Sequence, residues 1–289
     1  MEVAMKVNGV ERSHDRKLTG LIRELHRNDC TIDFAKIEEL LSFGKLAAPH
    51  LEAILKDALL QSRKINPDKP PKGTEWFVVV HALCLLAHLK STQSLEIVLH
   101  FLGMEQRFLD YWLQDLLSEE LWELIYLLSN GQTEPLHSFL LDRKNNPFSR
   151  LSVCTALAQM ALAGMMKEEE CSAILANVLR QDDEDPDFIG LMVSEISVLR
   201  NPALKEVSLQ SLRTSDVWPG IISEEEIELL YRSPKPPPRY PLSLWQRYTY
   251  FRQTAHFPRS SSMRVVREVK ERELSNGISG IKVGKTDSD

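Results

Sequence analysis

Glycine is scarce in this chain, at 12 of 289 residues, and the most apolar stretch, Trp76 to Leu89, is only 14 residues long. A bilayer-spanning helix needs about 20 consecutive apolar residues. This stretch also holds His81 and His88 and is bounded by Glu75 and Lys90. Length alone therefore excludes a membrane reading. Cysteine is sparse too: Cys30, Cys84, Cys154 and Cys171 stand far apart, with no CxxC pair. That spacing excludes a disulfide framework and reads instead as four small buried hydrophobes in a reducing compartment. The segment MEVAMKVNGVERSHDRKL has no apolar run behind its charges, as a secretory signal would require, so the expected address is cytoplasmic.

Catalytic signatures are equally missing. No GxSxG elbow and no HExxH occurs, and none of the eight histidines is followed by glutamate, as the repeated His-Glu pairs of HEAT-type di-iron hydroxylases would need. The end of GISGIKVGKTDSD matches the last residues of a phosphate-binding loop at Gly284, Lys285 and Thr286. The glycine required five positions earlier is Ser279, however, and no phosphate-holding helix is expected after Thr286. The acidic stretch from Asp182 to Gly190 alternates carboxylates as calcium loops do. Counted from Asp183, it places Phe188 at the turn glycine and Ser194 at the closing glutamate, so it reads as an acidic loop favouring the next helix N-terminus.

What the chain does have is leucine with Glu, Lys, Ala and Arg, the vocabulary of helices. Apolar residues three and four apart predict helices near 33–43, 48–62, 75–90, 92–103, 105–116, 119–129, 133–142, 147–164, 168–181, 186–199, 202–213 and 223–231. Asn146-Pro147, Asp185-Pro186 and Asn201-Pro202 each put a capping side chain before a proline at the first helical position. Ser223 and Glu226 have capping-box spacing, while Asn130-Gly131 and Gly164 read as stops. Helical hairpins recurring about every 35–45 residues suit two-helix repeats of the HEAT and armadillo kind. The expected fold is all-α: an α-solenoid of divergent HEAT-like antiparallel helix pairs over residues 31–232. Around it stand an N-terminal helix or extension over 1–30, a Pro-rich linker over 233–243 and a basic aromatic tail over 244–289 with a disordered end.

Charge is split between these parts. Residues 232–289 hold 12 Lys+Arg against 5 Asp+Glu, whereas residues 1–231 hold 23 against 36, a net of −13. An acidic body repels phosphate backbones, so nucleic acid is a candidate partner for the tail alone. Five prolines within residues 234–241 make either a spacer or a polyproline-like ligand. Beyond them, Arg239, Trp245, Arg247, Tyr248, Tyr250 and Arg252 mix cations with aromatics, a set suited to clamping a partner or to capping the open end of a helical array. At about 100° per residue, His81, Cys84 and His88 share roughly a 60° arc of one helix face, the geometry of a metal site lacking a fourth ligand. A helix apolar nearly all round is more simply one buried by neighbours. That reading places Val79, Leu83, Leu86 and Ala87 against other helices, with Cys84 among them.

In order along the chain, FAKIEELL, HALCLLAHLK, LLSEELWELIYLLSNG, SRLSVCTALAQMALAGMMKEEEC and DPDFIGLMVSEISVL resemble the bacterial family catalogued as domain of unknown function 1186, over roughly residues 30–232. The resemblance implies an α-helical, HEAT-like fold in a cytoplasmic bacterial protein, with no established activity. Some relatives carry a C-terminal cysteine-rich metal-binding segment; no cysteine follows Cys171 here, so no zinc role carries over. The expectation is a non-enzymatic scaffold that binds a protein partner, with no cofactor. The alternatives are an enzyme or ligand carrier with a site near His81, Cys84 and His88, and a nucleic-acid or ribosome contact through the tail.

Overall fold

The computed structural model describes residues 2–65, 76–113, 120–181 and 184–254, with side chains from residue 15 to residue 253 among these. The described residues form fourteen α-helices and no strand. They are α1 (Glu2–Arg27), α2 (Phe34–Leu41), α3 (Ala48–Gln61), α4 (Phe77–His88), α5 (Leu95–Leu102), α6 (Gln106–Leu113) and α7 (Leu121–Ser129). The rest are α8 (Glu134–Leu141), α9 (Pro147–Leu162), α10 (Glu168–Leu179), α11 (Pro186–Ile196), α12 (Pro202–Thr214), α13 (Glu224–Arg232) and α14 (Leu244–Thr254). Twelve of them fall where the apolar periodicity predicts helices.

The predicted punctuation is present in atomic detail. Asn146 accepts from the Ser149 N–H at 3.1 Å and Asp185 from the Phe188 N–H at 3.0 Å. Asn201 accepts from Ala203 and Leu204. Each bond satisfies a donor that the first helical turn would otherwise leave unpaired. At α13 the Ser223 and Glu226 side chains close both halves of a capping box. Gly164 ends α9 at φ +72°, a left-handed conformation that a side chain resists.

Contacts divide the chain into two units, Met1–Arg247 and Tyr248–Asp289. In the first, helices pack in two files. One runs α4, α7, α9, α11, each touching the next; the other runs α3, α5, α8, α10, α12 in the same way. The files are joined where α3 meets α4, where α9 meets α8 and α10, and where α11 meets α12. In the second unit, residues 248–254 are described and are helical.

The two files account for α4 and α9. Every residue from Phe77 to Ala87 is buried, because α1, α3, α6 and α7 surround α4. Val79, Leu83, Leu86 and Ala87 lie inside as the periodicity predicts, and Cys84 is buried with them. Full burial of each large apolar side chain contributes about 1.5–3 kcal/mol. Among the described residues, no helix is long and apolar enough to cross a membrane.

Candidate functional site

Two buried ionic clusters stand out from this apolar framework. In the first, Arg150 of α9 donates to the Leu140 carbonyl at 2.8 Å and grips Glu184 with both terminal nitrogens, at 3.0 and 2.7 Å. Its guanidinium also lies 4.3 Å from the centroid of the Phe188 ring. The pair fixes the loop entering α11, where Asp182 and Asp183 lie outside the described residues and Asp185 caps the helix. The stretch read as an acidic loop favouring a helix start thus carries a cap and a buried ion pair.

The second cluster is built by residues distant in sequence. Arg247, at the start of α14, is 1% exposed and donates one terminal nitrogen to Glu120 and the other to Glu123. Burial disfavours the Arg247 charge, but Cys84, Glu120 and Glu123 around it outweigh that and raise its pKa. Opposite charges brought this close in a water-poor site interact strongly, and here they hold Arg247 to the start of α7. Burial pushes the Cys84 thiol beside this cluster up to about 12.

Between α13 and α14 the Pro-rich segment crosses the α7–α9–α11 file as an extended strap. Lys235 pairs with Glu168 at the head of α10. The Arg239 N–H donates to Gln159 Oε1 at 2.7 Å, and its guanidinium reaches Glu195 at 3.2 Å while lying 5.0 Å from the centroid of the Trp122 ring. The Leu242 N–H donates to Glu123 Oε2 at 2.7 Å. Glu195 is itself held by the Thr155 hydroxyl at 3.0 Å. Tyr126 beneath the strap has its phenol pKa raised by burial, with Tyr240 adding to the effect. Trp245 then packs against Phe34 of α2, ring centroids 5.1 Å apart.

Of the residues singled out for partner binding, the structure brings Arg239, Trp245 and Arg247 onto the chain's own helices. Tyr248 is fully buried and Tyr250 is 38% exposed; Tyr248 and Phe251 stack edge to face at 6.1 Å, and Arg252 lies in the last described turn of α14. The phosphate-loop-like residues around Gly284 lie outside the described residues.

His81, Cys84 and His88 have separate surroundings. His81 is buried with Nε2 3.2 Å from the Asn28 carbonyl and its ring edge-on to Phe77; desolvation lowers its pKa to about 4. Cys84 faces the Arg247 cluster, and His88 is exposed at the end of α4. Among the described residues, no group of three His, Cys, Asp or Glu side chains is placed to hold a metal ion. On the other file, a cleft of about 520 Å³ opens between α5 and α8, with Glu96, His100, Gln132, Asp142 and Asn145 in its wall.

Glu120, Trp122, Glu123, Gln159 and Glu195 are the partners that reading the sequence misses. The available signal was a polar residue on an otherwise apolar helix: Gln159 is the lone amide of CTALAQMALA, and Glu123 interrupts LWELIYLL.

Among the described residues the chain is of the all-helical class, with polar side chains of its helices gripping one of its own extended segments. Within that class its family is specific: residues 17–234 match the family described as Protein of unknown function (DUF1186), and the chain belongs to it. The match contains the acceptor helices α7, α9 and α11 and ends at the first proline of the strap. No curated protein and no solved structure matches the chain.

Proposed function

We propose that this protein is a non-enzymatic scaffold, a divergent α-solenoid of HEAT-like antiparallel helix pairs that binds a protein partner. One observation carries the reading: each file of helices is continuous, neighbour touching neighbour, over α4, α7, α9, α11 and over α3, α5, α8, α10, α12. In the second file, helices start at residues 48, 95, 134, 168 and 202, a spacing suited to two-helix repeats. Such arrays bury a core between files and leave long surfaces for binding. The buried ionic groups support the same reading, because Arg150, Glu184, Arg247, Glu120 and Glu123 are engaged with one another. All four cysteines are buried thiols, which suits a reducing, cytoplasmic setting.

The test is purification of the full chain from its native cells under mild crosslinking, with elemental analysis of the same sample. The expected result is one partner protein in fixed stoichiometry. Stoichiometric zinc or iron would overturn the reading in favour of a metal-dependent site, and a monomer with no partner across growth conditions would overturn it as well.

A further inference from the structure

We propose that the α7–α9–α11 face is a groove for an extended, proline-rich, arginine-bearing polypeptide, and that residues 234–242 are its tethered, displaceable occupant. The inference rests on the scaffold reading and deepens it by naming the class of partner.

Three observations lead there. First, the acceptors are built in and the occupant is not. Trp122, Glu123, Thr155 and Gln159 are all buried, whereas no residue from Ser233 to Ser243 is buried and none lies in regular secondary structure. Second, the groove addresses the occupant's backbone. Gln159 and Glu123 each accept a main-chain N–H, from Arg239 and Leu242, two of the few strap residues with one to give between prolines. Proline-rich chains have few free N–H donors and a pre-extended backbone, so such a pattern suits them and costs little ordering entropy on binding. Third, the side-chain readout is for arginine. Trp122 offers a ring face to the Arg239 guanidinium, and Glu195, oriented by Thr155, accepts its hydrogen bond. A planar cation fits an aromatic face and a carboxylate together better than a lysine ammonium does.

The anchors lie outside the strap itself. Ile227 on α13 and Leu244 with Arg247 on α14 are buried, so the intervening segment can lift while both ends hold. A short tether keeps the segment at an effective concentration of the order of millimolar, which a partner must outcompete. Binding therefore requires either a better segment or a weakened strap.

The experiment uses the full chain and a fluorescein-labelled peptide copying residues 232–243. Fluorescence anisotropy is recorded with wild type, with Arg239→Ala and with Arg239→Ala/Glu195→Lys. Arg239 has a half-exposed side chain, so its removal leaves the core intact, which circular dichroism checks. The expected result is that Arg239→Ala binds the peptide at least about tenfold more tightly than wild type. Adding Glu195→Lys, or replacing the arginine of the peptide that copies Arg239 with alanine, should abolish the gain. Equal affinity for wild type and Arg239→Ala, or binding indifferent to the peptide's arginine, overturns the proposal. Protection of the Arg239 and Leu242 amides from hydrogen exchange that stays unchanged in Arg239→Ala would also overturn it, because the segment would then be fixed. A concentration-dependent dimer of wild type that excess peptide dissolves would assign the groove to a second copy and overturn the partner assignment. Failure of the peptide with a partner still co-purifying removes the groove and leaves the scaffold reading standing; binding of the peptide with no cellular partner does the reverse.

Discussion

Replacing Arg247 with methionine tests the buried cluster directly. The substitution keeps an unbranched side chain but removes the cation between Glu120 and Glu123, whose side chains are 10% and 12% exposed. Two carboxylates would be left facing each other with little water. Breaking a buried pair by deleting one partner costs about 3–5 kcal/mol. For a domain of this size 1 kcal/mol moves the melting temperature by about 2–4 °C, so Arg247→Met should lower it by about 6–20 °C. Thermal unfolding followed by circular dichroism and calorimetry gives the shift. The triple variant Arg247→Met/Glu120→Gln/Glu123→Gln should recover a large part of the loss, since it removes both negative charges and keeps acceptors for the Leu242 N–H. Raising salt should change the wild-type melting temperature little, because the pair is screened far less than surface pairs. A single variant melting within about 2 °C of wild type, or a triple variant melting below the single one, would refute the reasoning.

Other expectations follow from the same geometry. His81 titrates in the fold at about 4, below its ordinary 6.5, so the unfolded chain takes up the proton first. Stability is therefore whole above pH 6.5 and declines toward pH 4, by up to about 3 kcal/mol. Urea midpoints measured across that range should fall, and His81→Gln should flatten the decline; an unchanged slope in the variant would count against the assignment. At Gly190 a methyl group would sit 2.7 Å from Val217 Cγ1 and 2.9 Å from Ile221 Cγ2. Gly190→Ala should thus destabilise by about 1–3 kcal/mol despite the better helix propensity of alanine, and Val217→Ala should relieve it in a urea-unfolding cycle. Burial raises the thiols of Cys84, Cys154 and Cys171, so aromatic disulfide reagents at pH 8 should leave them unmodified in the fold and titrate them in urea. Rapid stoichiometric reaction of the native protein would show that α4 or α9 opens far more readily than its packing implies.

Helices were legible in the sequence because each carries its own signal. Asn146, Asp185, Asn201 and Ser223 announce starts, and Gly164 a stop, within a few bonds of where they stand. α14 is the instructive omission. Ser243 and Gln246 have capping-box spacing, and the Ser243 N–H does donate to Gln246 Oε1 at 2.9 Å. The five upstream prolines and the mixed aromatics and arginines hide the apolar period that would have drawn attention to it. Arg247 was legible as chemistry but not in its place, since a cation near aromatics suits an exposed clamp as well as an interior pair. Only long-range packing decides, and Glu120 stands 127 residues away. Gln159 and Glu123 signal themselves as polar residues on apolar helices, yet what they accept depends on a segment folding back across the file.

That separation has a consequence for how the chain is made. During synthesis α7 emerges from the ribosome with Glu120 and Glu123 already in place, and well over a hundred further residues must follow before Arg247 can meet them. Until then Trp122 lacks its Arg239 cover and the two acids repel one another, so the nascent middle of the protein is loosest while it is incomplete. Chains that stop before residue 247 keep the matched family region but never bring the Arg247 cation to those acids, and cellular quality control should clear them faster than finished ones. A single cation at the start of α14 thereby certifies helices made more than a hundred residues earlier.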